Sequence, residues 1–140
     1  MTTAQRGFLR RRLREAVAGQ PELKDLVKVL LKLDGEFVVA PSWSDPLTME
    51  LSVQGFVFGG DVVMRAGRAS ECHDNVAALW RARRRGMVGI GTGYALSKDG
   101  LWRRHSWGLL RDGILETTAV RRKYFGVCWQ GARADEFASS

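Results

Sequence analysis

The chain has 140 residues, 45% of them hydrophobic and 26% charged, with two cysteines and a formal net charge of +7. This size and balance predict a single domain, 1–140, with its own core. No apolar run reaches the ~20 residues that span a bilayer. The start, Met1 to Arg6, leads into arginines rather than an apolar segment, so no secretory signal is expected. Cys72 and Cys128 are too few for a disulfide scaffold and fit a reducing, cytoplasmic compartment.

The positive excess falls in three clusters: Arg10, Arg11, Arg12 and Arg14; Arg81, Arg83, Arg84 and Arg85; and Arg121, Arg122 and Lys123. Such clusters bind nucleic acid or acidic protein surfaces. Solvated helix faces are the plainer expectation, because no zinc-finger spacing or RNA-binding aromatic motif accompanies them.

In chain order, residues 5–18 predict a basic helix with Phe8, Leu9, Leu13, Ala16 and Val17 as its apolar stripe, closed by Gly19. Pro21 opens a second helix, carried by Leu23, Leu26, Val27, Leu30 and Leu31. Residues 1–35 thus form a helical part. Glu36–Ala40 predicts a strand, Pro41–Pro46 a loop, and the weak alternation of 47–53 another strand. Gly55–Phe58 and Asp61–Met64, joined by Gly59-Gly60, predict a hairpin. Ser70 is placed as the N-cap of a helix that ends at Gly86, with Val76, Leu79 and Trp80 facing inward. Strands are expected over Met87–Ser97, Leu101–Leu109, Ile114–Thr118 and Tyr124–Trp129, completing a core over 36–130. Residues 131–140 are expected to be a frayed tail.

With Ser70 as cap, Cys72 falls at the second helical position, where free amides and the helix dipole favour a thiolate. A histidine, His105, follows on a predicted strand, and a carboxylate, Glu116, on the next one. A thiol made nucleophilic by an imidazole that a third group orients is the recurring thiol-hydrolase arrangement.

The order Cys72, His105-Ser106-Trp107, Glu116-Thr117-Thr118 resembles the papain-like and transglutaminase-like cysteine hydrolases. In transglutaminase-like proteins a His-x-Trp strand is commonly followed by one ending in Asp-x-Thr. Glu116 stands here in place of the aspartate. The match covers roughly residues 70–118. Glu71-Cys72-His73-Asp74-Asn75 is also similar to compact amidohydrolases that deamidate an N-terminal glutamine. The resemblance implies an α+β fold, with N-terminal helices and a cysteine-bearing helix packed on an antiparallel sheet. It further implies attack by Cys72 on an acyl or carboxamide carbon, an imidazolium at His105 and an orienting carboxylate at Glu116. The Cys72 amide would give half of an oxyanion hole, and an upstream glutamine, Gln54, the other half. Trp107 would be a cleft wall or substrate contact.

Strand geometry sets a condition. A turn at Asp112-Gly113 would put Glu116 four positions from His105, about 13 Å along the strand. Direct pairing would require the loop 109–112. Each residue also has a plainer reading: Cys72 a small core residue, His73 a surface or capping side chain, His105 an ordinary hydrogen-bonded histidine, Glu116 a salt bridge to arginine, Cys128 structural. A zinc site from Cys72, His73, His105 and Cys128 lacks the paired spacings of structural zinc. No cofactor or metal is expected. Gly89, Gly91 and Gly93 lie within a strand rather than a phosphate-binding loop. The reading is a thiol-dependent hydrolase or acyltransferase acting on an amide bond of a peptide or protein, as a peptidase or as a glutamine/asparagine deamidase. The alternative is a non-catalytic module, whose basic clusters bind nucleic acid or an acidic partner.

Overall fold

The computed structural model describes residues 1–82 and 86–139. It is an α+β protein built on one mixed, mostly antiparallel sheet. Two helices lead: α1 (Thr3–Gly19) and α2 (Leu23–Leu33). Thr2 and Gln5 form a capping box at the start of α1. Leu23, Leu26 and Leu30 of α2 are fully buried at helical spacing, each contributing about 1.5–3 kcal/mol of burial.

After the short strand β1 (Phe37–Val38) the chain enters α3 (Thr48–Gln54), where the weak alternation predicts a strand. Tertiary packing decides for helix: Leu47 and Leu51, one turn apart, are both buried, and the Leu47 amide bonds the Asp45 carboxylate at 3.0 Å. The next two strands, β2 (Phe56–Val57) and β3 (Asp61–Met64), do not form the expected hairpin. β2 pairs with β7 (Lys123–Trp129), and β3 runs parallel to β6 (Gly113–Glu116). With β4 (Gly89–Leu96) and β5 (Leu101–Leu110), the order is β2-β7-β4-β5-β6-β3, and β1 adds to β5 in parallel.

β2 and β3 end this order on opposite sides, yet only Phe58, Gly59 and Gly60 lie between them. Four residue steps span at most about 14 Å, so the two sides of the sheet are drawn together and it curls barrel-like. Gly60 makes the crossing: it sits at φ 96°, and a Cβ there would stand 2.5 Å from the Asp112 carbonyl.

Cross-strand pairs divide the sheet into two faces. On one, Tyr94, Leu96, Trp102, Phe125 and Val127 pack against α2 and α3. On the other, Ala95, Trp107, Leu109, Ile114 and Tyr124 pack with Phe58 and Val62 inside the curl. Residues 131–139 are no frayed tail. They form α5 (Gly131–Ser139), which buries Ala134 and Ala138 beside Val76, Ala77 and Trp80 of α4 (Cys72–Ala82). Arg83, Arg84 and Arg85 of the second basic cluster lie outside the described residues. Arg122 and Lys123 of the third cluster lie 3.0 and 3.7 Å from the Asp34 carboxylate.

Candidate active site

β5 is paired with β1 at Leu101–Trp102 and with β6 at Gly108–Leu110, so residues 103–107 have no strand partner on that side. The start of α4 meets this stretch, where the Ser106 amide favours the Cys72 thiolate. Ser70 is not the cap: it adopts φ 62° and turns the chain, while the Glu71 carbonyl accepts the first helical bond from Asn75 at 2.9 Å. Cys72 is therefore the first helical residue, one position earlier than expected, where the His73 amide also favours its thiolate.

The His105 ring is the group that most favours the Cys72 thiolate, and Cys72 in turn favours the His105 imidazolium. His105 Nε2 is 2.7 Å from Glu116 Oε1, which leaves Nδ1 to face the sulfur. Burial opposes the Cys72 thiolate, but His105 and the two amides outweigh it and hold the thiol below its ordinary value. Burial likewise opposes the His105 imidazolium, and Cys72 and Glu116 outweigh it, raising the imidazole.

Glu116 is wholly buried and its carboxylate is saturated. Oε1 accepts from Tyr124 Oη at 2.9 Å as well as facing His105. Oε2 accepts the Thr117 and Thr118 amides, each at 2.9 Å, and the Thr118 hydroxyl at 3.1 Å. Burial resists ionisation, yet His105, the Thr118 amide and Tyr124 bring its pKa down to about 2. No arginine is among these partners, so the salt-bridge reading of Glu116 is replaced by a bond to His105.

The register is neither of the two considered from sequence. Leu110 pairs with Gly113 across an Arg111-Asp112 turn, and Gly108 with Leu115. Continued by one residue, this places Glu116 opposite Trp107, diagonal to His105 on the same face. Diagonal neighbours are about 7–8 Å apart, within reach of a long side chain.

Trp107 is fully buried and stacks on His105, ring centroids 5.9 Å apart at 29°. It is a wall behind the imidazole, not a surface for substrate. Gln54 is exposed at the end of α3, where the chain enters β2 beside β7. Among the described residues no hydrogen bond joins it to Cys72, His105 or Glu116. Cys128 is exposed on β7, with β4 between β7 and β5, so the four-residue zinc set does not assemble. His73 is not a surface side chain: its Nδ1 lies 2.5 Å from Ser106 Oγ. Burial, with Arg104 and His105 nearby, lowers its pKa to about 4.

Two contributors, Tyr124 and Gln20, escaped the sequence reading, and the role of a third, Asn75, was not legible in its stretch Glu71–Asn75. Tyr124 carries no motif, and only its place on the sheet brings it to Glu116. Asn75 bonds the Arg68 backbone at 3.1 and 2.8 Å and Thr117 Oγ1 at 3.3 Å, tying α4 to the approach loop and to the strand that ends in Glu116. Gln20 grips the Asp45 backbone, donating to its carbonyl at 2.7 Å and accepting its amide at 3.3 Å. A groove of about 360 Å³ between Arg65–Gly67 and Asn75, Ala78, Leu79 and Ala82 reaches Thr117 beside the acid.

No helix among the described residues is long and apolar enough to cross a membrane. No family model, curated protein or solved structure matches the chain.

Proposed function

We propose that the chain is a papain-like, transglutaminase-like thiol hydrolase or acyltransferase that works on an amide bond of a peptide or protein. One observation carries this reading: the His105 ring is bonded at 2.7 Å to a water-excluded, saturated Glu116 carboxylate and acts on the Cys72 thiol at the start of α4. In the reaction, the Cys72 thiolate adds to the carbonyl carbon and His105 Nδ1–H protonates the departing amine or ammonia. The C–N bond breaks and a thioester to Cys72 remains. Water or an amine then adds to the thioester as His105 takes its proton. Release of the acid or new amide returns the thiol. Glu116 keeps the imidazolium oriented throughout and does not itself take up the proton.

Peptides bearing glutamine and asparagine, read for ammonia release and for cleavage, test the activity. Turnover that disappears in Cys72→Ala is expected. Turnover that survives Cys72→Ala contradicts the reading.

A further inference from the structure

His73 on α4 and Ser106 on β5 directly follow Cys72 and His105 in the chain. These residues stand 33 positions apart in sequence, and their side chains bond at 2.5 Å. Ser106 Oγ also meets Thr92 Oγ1 at 2.9 Å, and Thr92 Oγ1 accepts from Arg104 Nη1 at 2.7 Å. Arg104 Nε donates to Asp45 Oδ2 at 2.6 Å in a nearly buried ion pair.

We propose that His73 and Ser106 are positioning residues for the nucleophile. Their side-chain bond clamps the start of the helix that carries Cys72 to the strand that carries His105, and the buried chain Thr92–Arg104–Asp45 fixes the clamp. The inference rests on the thiol reading of the site.

The order of protons follows from chemistry. A guanidinium only donates, so Thr92 accepts from Arg104. Both hydroxyls donate within the chain only when Thr92 gives its proton to Ser106 and Ser106 gives its own to His73 Nδ1. His73 then carries its proton on Nε2 and is neutral. The charged and titratable groups around it are Asp74 on α4, Arg104 and His105 on β5, and Asp45 in the loop before α3, while α5 presents Phe137. A neutral His73 leaves His105 as the one imidazolium beside the thiolate. The clamp also accounts for burying an ion pair, which by itself stabilises little.

The test compares iodoacetamide alkylation of Cys72 against pH in the native protein, Ser106→Ala, His73→Ala, His73→Asn and His105→Ala. In His73→Asn the carboxamide oxygen can stand where Nδ1 accepts. The clamp predicts that Ser106→Ala and His73→Ala slow alkylation at neutral pH about tenfold, a rise of about one pH unit in the midpoint, and that His73→Asn keeps the native profile. Unchanged profiles in both alanine variants overturn the clamp. An effect of His105→Ala alone leaves the hydrolase reading standing without the clamp, whereas an indifferent His105→Ala removes the hydrolase reading itself. Imidazole ¹⁵N shifts of the unaltered protein add a check independent of any variant. His73 should hold its proton on Nε2 from pH 5 to 8, and a proton on Nδ1 overturns the assignment.

Discussion

Glu116 has the length that its place on the strand demands. Its strand position is diagonal to His105, and the same carboxylate must also reach the Thr117 and Thr118 amides. Glu116→Asp, one methylene shorter, cannot keep both sets of bonds. It is expected to slow Cys72 alkylation at neutral pH severalfold, with Glu116→Gln slower still because the charge opposite the imidazolium is gone. Glu116 also links stability to pH. Its folded pKa of about 2 lies below the ordinary 4.5, so its contribution is present above pH 4.5 and is lost as pH falls towards 2. Urea unfolding at pH 7 and at pH 2.5 should therefore show Glu116→Gln costing more stability at pH 7 than in acid. An equal cost at both pH values contradicts the ionised, saturated carboxylate. For His105, whose pKa is raised, the sign is opposite: its contribution holds below about pH 6.5 and fades as pH rises through the folded value.

At the scale of elements, patterning in the sequence located most pieces and mispaired some. The α2 stripe of Leu23, Leu26 and Leu30 and the long strands β4 and β5 were legible, because their apolar spacing coincides with what tertiary packing buries. Residues 47–53 read as weak alternation because a two-turn helix with two buried leucines is too short to show a helical period. Gly59-Gly60 is a sound hairpin signal, but local turn chemistry carries no information about β7 and β6, the strands that capture the flanking segments. The same limit applies to the site. Cys72, His105 and Glu116 stand out by residue type and order, but how their side chains meet, like the places of Tyr124, Gln20 and the Ser106–His73 bond, depends on register and on contacts from distant segments.

Glycines in β4 show how packing behind the imidazole is achieved. A Cβ at Gly91 would lie 2.0 Å from Trp107 Nε1, so only glycine leaves space for the indole that stacks on His105. Gly91→Ala should cost about 1–3 kcal/mol, seen as a drop of several degrees in Tm, and should displace the ring behind His105. An unchanged Tm would contradict the packing described.

Over the whole molecule, the helix that carries Cys72 is held by elements from both ends of the chain. Gln20, after α1, fixes Asp45, and Asp45 fixes Arg104. α5, close to the C-terminus, packs on α4, where Trp80 Nε1 donates to Asp135 at 2.8 Å. Ala134→Leu would overfill this contact and is expected to lower stability by about 1–3 kcal/mol, measured by urea unfolding. No change in the unfolding midpoint would mean that α5 does not pack as described. The basic surface is partly answered within the fold, as Arg122, Arg103 and Arg133 pair with Asp34, Asp99 and Glu50. Exposed pairs of this kind add little stability. They do lessen the charge left for a polyanion. A binding module acting through its arginines would instead lose nucleic-acid affinity steeply with salt.

The most direct measurement is the pH dependence of Cys72 alkylation by iodoacetamide in the native protein and in His105→Ala, with Cys128 as internal control. Cys128 is exposed on β7, and partial desolvation raises its thiol with no group nearby among the described residues to lower it. The account predicts that Cys72 reacts at neutral pH well before Cys128, and that His105→Ala slows it by about tenfold or more. A Cys72 that titrates like Cys128, or that ignores the loss of His105, would contradict the thiolate–imidazolium centre on which the proposed function stands.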